Sequence, residues 1–120
     1  MMLHKIFVYG TLKSDHCNNG VLGFYRSQGI KAVATGIALY GEQGGLPFAV
    51  RGEGKTYGEV YEIDAAVLAA LDRFEGHPQW YARELTAVEL CDRRRVRAWI
   101  YLNQDAYLHP KVPDGEWKTL

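Results

Sequence analysis

One helical stretch, Ala65 to Phe74, stands among runs of aromatic and β-branched residues, and this arrangement most narrows the folds open to the chain. Asp64 precedes it as an N-cap, and Gly76 and Pro78 follow as stop signals. Val67, Leu71 and Phe74 fall at i, i+4 and i+7, the spacing of one buried helix face, with Leu68 beside them. Elsewhere the pattern reads as strands. Residues 5–9 (Lys-Ile-Phe-Val-Tyr) form a buried strand closed by Gly10. Residues 30–40 form a second strand, bulged at Gly36. Residues 46–50 and 57–63 are two more, separated by a turn at Gly52 and Gly54. Residues 83–90 and 96–102 complete the set, the latter alternating Val96, Ala98, Ile100 and Leu102 against Arg97, Trp99 and Tyr101. Residues 13–20 read as loop, Val21 to Arg26 as a short helix, and the tail after Ala106 as irregular. About six grouped strands with one or two helices make an α+β fold dominated by its sheet or barrel, not a doubly wound one. The many glycines suit a sheet that curves and closes.

With 120 residues the chain fits one domain, 1–120, able to bury a core without disulfides. Fourteen Lys and Arg balance fourteen Asp and Glu, which argues against nucleic acid as the main partner, since counterion release needs a clustered basic surface. The one basic run, Arg93-Arg94-Arg95 with Arg97, lies between two strands and reads as a solvated hairpin turn. Cys17 and Cys91, and His4, His16, His77 and His109, are dispersed and match no metal-ligand spacing, so no metal is expected. Gly52-x-Gly54 lacks the third glycine of a dinucleotide fingerprint, the next being Gly58. No signal peptide and no membrane span are read, which makes cytoplasmic the default.

Two segments carry chemistry. Val8-Tyr9-Gly10-Thr11-Leu12 is a strand that ends in a glycine turn, where freed backbone N–H groups can bind a carboxylate or a carbonyl oxygen. The plain alternative is a turn in which Gly10 adopts a positive φ. Leu71-Asp72-Arg73-Phe74-Glu75-Gly76 ends the helix with Glu75 among Phe74, Trp80 and Tyr81. A carboxylate against aromatic walls loses hydration, and its pKa rises toward the range useful for proton transfer. The alternative is a solvated glutamate at a helix end. Tyr81 is a candidate to hydrogen-bond a ligand, or simply a core residue opening a strand. Leu46-Pro47-Phe48 faces Tyr9 either as pocket lining or as ordinary packing, and Trp117 either covers the cleft or anchors the tail.

Val8 to Lys13, then Gly58-Glu59-Val60-Tyr61-Glu62-Ile63-Asp64, then Leu71 to Gly76 with Tyr81-Ala82-Arg83, occur in that order. The series resembles the γ-glutamylcyclotransferase-like superfamily (AIG2-like, YtfP-like), and within it the small branch of γ-glutamylamine cyclotransferase. Asp114-Gly115-Glu116-Trp117 is similar to the Gly-Asp-Trp ending of bacterial members. The resemblance implies a small mixed β-barrel flanked by one or two helices. It implies an enzyme that closes the glutamyl part of a γ-glutamyl amine or γ-glutamyl amino acid to 5-oxoproline and releases the amine. Carried over by position, Tyr9, Gly10, Thr11 and Leu12 would hold the α-carboxylate and α-amino end, with Pro47 and Tyr81 nearby, and Glu75 would be the acid/base.

That reaction needs few parts. The substrate's α-amine attacks its own γ-carbonyl, so the protein has to hold a near-attack conformer, and one carboxylate can take a proton and return it. No cofactor is required, and the partner is a small-molecule γ-glutamyl substrate. A monomer is the default, with a homodimer as the alternative. A non-catalytic domain binding γ-glutamyl or amino-acid ligands is the competing reading. An interaction module presenting an apolar patch is a third.

Overall fold

The computed structural model describes residues 3–10, 29–42 and 44–118. Five strands close into a barrel: β1 (His4–Val8), β2 (Ile30–Tyr40), β3 (Phe48–Ile63), β4 (Ala82–Leu90) and β5 (Arg95–Leu102). The order around it is β1-β3-β2-β4-β5. Neighbours are antiparallel except at the closing seam, where β1 meets β5 in parallel through Ile6 and Trp99. One parallel seam makes the barrel mixed, as the resemblance implies.

Five strands, not six, appear among the described residues, because the expected turn at Gly52 and Gly54 is no turn. β3 runs unbroken for 16 residues. Its pairing with β2 slips between Thr35↔Lys55 and Ile37↔Arg51, leaving Gly52, Glu53 and Gly54 opposite the single residue Gly36. The glycines thus bend one long strand. This lets it pair with β1 through residues 59–63 and with β2 through residues 48–60, apart from the slip. Buried Thr56 donates its hydroxyl to the carbonyl of Ile37 at 2.9 Å, just past the slip.

Alternation along the strands divides the core in two. Phe7, Tyr9, Ile37, Leu39, Ala98, Ile100 and Leu102 point into the barrel, where Trp117 joins them. Ile6, Val8, Tyr61, Ile63, Tyr101 and Val50 lie on the opposite face, beneath α1 (Ala65–Glu75). Helix α1 starts at Asp64, whose carboxylate accepts from the Val67 amide at 2.9 Å. It ends at Gly76, in the left-handed region at φ 66. There the Gly76 and His77 amides donate to the carbonyls of Arg73 and Asp72 at 3.2 and 2.8 Å, a paired C-terminal closure.

The buried stripe of α1 differs from the expected one. Leu68 and Leu71 are buried, whereas Phe74 is 43% exposed. At 3.6 residues per turn, Leu68, Leu71 and Glu75 (i, i+3, i+7) share a stripe, Asp72 borders it, and Phe74 lies off it. The face turned to the barrel therefore ends in a carboxylate.

The basic run is a solvated turn between β4 and β5. Arg93 takes φ 73, and Asp92 accepts from the Arg94 amide at 3.0 Å and from its Nε at 2.7 Å. The tail is more ordered than expected: a short 3-10 helix spans Gln104–Leu108, capped by Asn103, whose Oδ1 accepts from the Asp105 amide at 2.8 Å. Beyond it the Val112 amide donates to Leu39 at 2.8 Å, and Trp117 packs against Gly41. Trp117 joins the barrel core and so anchors the tail. No helix among the described residues is long and apolar enough to cross a membrane.

Candidate active site

Glu75, at the end of the buried stripe, is carried to where α1 meets the barrel. Burial pushes its carboxyl pKa up from 4.5 to about 7. Tyr9, Tyr81 and Tyr101 are all within electrostatic reach of its charge. Burial first, and then neighbours that include Glu75, raise the pKa of all three phenols above the ordinary tyrosine value. They remain neutral hydroxyls at any pH of interest.

Two of those hydroxyls donate to backbone carbonyls. Tyr9 Oη donates to the Tyr101 carbonyl at 2.6 Å, and Tyr81 Oη to the Pro47 carbonyl at 2.8 Å. These bonds draw together the end of β1, the segment before β3, the start of β4 and β5. Gly10 completes the contact, because a Cβ placed there would lie 2.5 Å from Pro47 Cγ. Gly10 is not among the residues with positive φ, so its place is fixed by the close approach of Pro47, not by a left-handed turn. Phe48 stacks between Tyr81 and His109, with ring centroids 5.9 and 4.1 Å away.

The structure thus brings together Tyr9, Gly10, Pro47 and Tyr81 through direct contacts, with the Glu75 charge reaching both tyrosines. Thr11 and Leu12 lie outside the described residues, as do the segments 13–20 and 21–26. Of the aromatic residues expected around Glu75, Tyr81 is within that reach. Trp80 is 51% exposed, its ring edge-on to Tyr81 at 5.0 Å, and Phe74 points to solvent.

Sequence reasoning missed Tyr101, the third of these tyrosines. The alternation of β5 set it on the face opposite the barrel core, yet it is only 3% exposed because α1 covers that face. Its hydroxyl donates at 2.8 Å to Asp72 Oδ1, which also takes Arg83 Nε at 2.8 Å. Burial works against ionisation of Asp72. The hydrogen bonds from Arg83 and Tyr101 and the Arg83 charge outweigh it and hold the pKa below the usual carboxylate value. The guanidinium of Arg83 in turn lies 4.3 Å over the ring of Trp99, and its amide donates to His77 Nδ1 at 3.1 Å. The one usable sequence signal was Asp72 itself, a second acid one turn before Glu75.

The arrangement supplies a desolvated carboxyl that changes protonation near neutrality, neutral tyrosine hydroxyls within its electrostatic reach, and a glycine that lets Pro47 pack closely against the end of β1. Among the described residues no three His, Cys, Asp or Glu side chains gather as a metal site would need.

The family model described as Gamma-glutamyl cyclotransferase, AIG2-like matches residues 6–119. The Gamma-glutamylcyclotransferase family protein YtfP of Escherichia coli is 33% identical over 114 residues, covering 94% of this chain and 95% of its own. The Gamma-glutamylaminecyclotransferase of Rattus norvegicus is 36% identical over 104 residues, covering 78% of this chain and 65% of its own. Among solved structures, YkqA of Bacillus subtilis superposes with a TM-score of 0.79 at 32% identity over 97% of this chain, which spans 40% of that longer one.

Proposed function

Because this chain belongs to the γ-glutamyl cyclotransferase, AIG2-like family and has its fold, we propose that it cyclises a γ-glutamyl amine or γ-glutamyl amino acid to 5-oxoproline, with Glu75 as acid and base. The observation that carries this reading is the stripe Leu68-Leu71-Glu75, which sets a half-buried carboxyl with a pKa of about 7 on the helix face that Leu68 and Leu71 bury.

The chemistry follows from that carboxyl. Ionised Glu75 takes a proton from the substrate's α-ammonium. The freed amine nitrogen attacks the γ-carbonyl carbon, forming the ring C–N bond and a tetrahedral oxyanion. Collapse of this intermediate re-forms the carbonyl and breaks the bond to the leaving nitrogen, which takes the first proton back from Glu75. The freed carboxylate then takes the second proton from the ring nitrogen and passes it to the released amine, which departs as an ammonium. A pKa near working pH serves both transfers. Holding the glutamyl chain folded for ring closure contributes on the order of 7–11 kcal/mol in well-oriented cases.

Tyr81 fits the same substrate. A hydroxyl that donates to a carbonyl turns only lone pairs toward a ligand. Tyr81 donates in this way, so its oxygen suits an ammonium, and the α-amino end of the glutamyl group is the cation available. The buried Tyr9 hydroxyl is bonded to the backbone at Tyr101 and Ala49 and shapes the wall. Gly10 and Pro47 pack against each other beside Tyr9, and by the family resemblance Thr11 and Leu12 share the glutamyl end.

The test is 5-oxoproline release from a panel of γ-glutamyl amines and γ-glutamyl amino acids, with Glu75→Gln alongside. Release by the wild type alone supports the reading. Ligands that raise the melting temperature without any product would make this a binding domain.

A further inference from the structure

Asp72 sits one turn before Glu75, and its Oδ1 receives two donors, Tyr101 Oη and Arg83 Nε, each at 2.8 Å. The same residue accepts the His77 amide on its backbone carbonyl at 2.8 Å, and the Arg83 amide donates to the His77 ring at 3.1 Å. One side chain therefore ties the last turn of α1 to the loop after it, to β4 and to β5. Tyr101 also holds Tyr9 through its backbone carbonyl, so the tie reaches β1.

The titratable groups within electrostatic reach of Glu75 are Tyr9 after β1, Tyr81 on the approach to β4 and Tyr101 from β5. Asp72 lies beside it on its own helix, with Arg83 and His77 behind Asp72. Tyr9 and Tyr81 donate to carbonyls. Tyr101 is the one of the three whose proton goes to another carboxylate. Were that hydroxyl released, it would have Glu75 as the other carboxylate whose charge reaches it. A donated hydrogen bond favours the ionised form and would make Glu75 a weaker base.

We propose that Asp72 is a positioning residue for the reaction: it keeps the Tyr101 hydroxyl off Glu75 and anchors the helix end that aims the Glu75 carboxylate. The proposal rests on the reading of Glu75 as the acid/base, but its direct test needs no substrate. The Glu75 side-chain carboxyl is followed by 13C NMR against pH, and its signal is identified by its loss in Glu75→Gln. Asp72→Ala is compared with Asp72→Ala/Tyr101→Phe, because both lose the Asp72 charge and both free Arg83. Only the hydroxyl separates them. The expected result is a midpoint about one pH unit lower in the single variant than in the double, the size of one added hydrogen bond to a charged group. Equal midpoints would overturn the proposal.

Should Asp72→Ala fail to fold, Tyr101→Phe alone decides. Its Glu75 midpoint is expected to match the wild type, and a midpoint about one unit higher would show that the hydroxyl already sits on Glu75. In turnover, Asp72→Ala is expected to lower kcat about tenfold with KM within about twofold, and adding Tyr101→Phe to recover part of kcat. A wild type inactive on every γ-glutamyl compound would remove the cyclotransferase reading and leave the titration result standing.

Discussion

The Tyr81 hydroxyl and the Pro47 carbonyl, 2.8 Å apart, join the start of β4 to the segment that enters β3. The bond uses the Tyr81 proton and leaves its oxygen as an acceptor within electrostatic reach of Glu75. Tyr81→Phe removes both the tie and the acceptor. Initial rates on an active γ-glutamyl substrate are expected to show KM raised roughly tenfold or more, and the melt a stability loss of about 1 kcal/mol. Unchanged KM would remove Tyr81 from the substrate's contacts.

Glu75→Gln is expected to lower kcat by roughly 10²–10⁴-fold, the usual worth of a positioned acid/base. Circular dichroism should show the same fold, since the amide keeps the shape of the side chain.

The rate should follow the Glu75 proton. Its ionised form accepts the α-ammonium proton, so kcat/KM is expected to rise with pH along a limb centred at about 7. A limb at 4 to 5 would mean that Glu75 is solvated in the working enzyme.

Stability should run the other way. The native carboxyl binds its proton more tightly than the unfolded one, about 7 against an ordinary 4.5. Between those values the native state carries more protons, so ionisation penalises folding as pH rises. Wild type is expected to lose stability relative to Glu75→Gln across that window, by at most about 3 kcal/mol above it. Denaturant melts of both proteins at pH 4.5 and 8 read the difference; a gap that did not widen with pH would contradict the burial.

Gly10→Ala adds a methyl 2.5 Å from Pro47 Cγ. Overpacking at such a contact costs about 1–3 kcal/mol, and here it also pushes Pro47 away from Tyr81. Activity on a γ-glutamyl substrate is expected to fall further than the melting temperature would account for.

What could be read from residues alone was governed by local rules. Asp64 and Gly76 bound the helix, Gly36 marked the bulge, and the arginine run turned the last hairpin, because each depends on neighbours in sequence. What was misread depends on distant packing. Gly52 and Gly54 look like a turn until β2 and β1 pair with β3 on both sides of them. Phe74 looks buried and Tyr101 looks exposed until the crossing of α1 decides which stripe meets which face. In the site, Glu75, Tyr9, Gly10, Pro47 and Tyr81 were all singled out by chain order and resemblance. The Asp72–Tyr101–Arg83 cluster was not, since 29 residues separate the first two and no periodicity links them.

The place of Trp117 bears on what the last described stretch of the chain contributes. All five strands precede this indole in sequence, yet it belongs to the same buried cluster as Phe7, Leu39 and Ile100. The barrel interior is thus completed from a segment far in sequence from the first strand, so shortening the tail before Trp117 would take an aromatic ring out of the core and not merely trim a loose end.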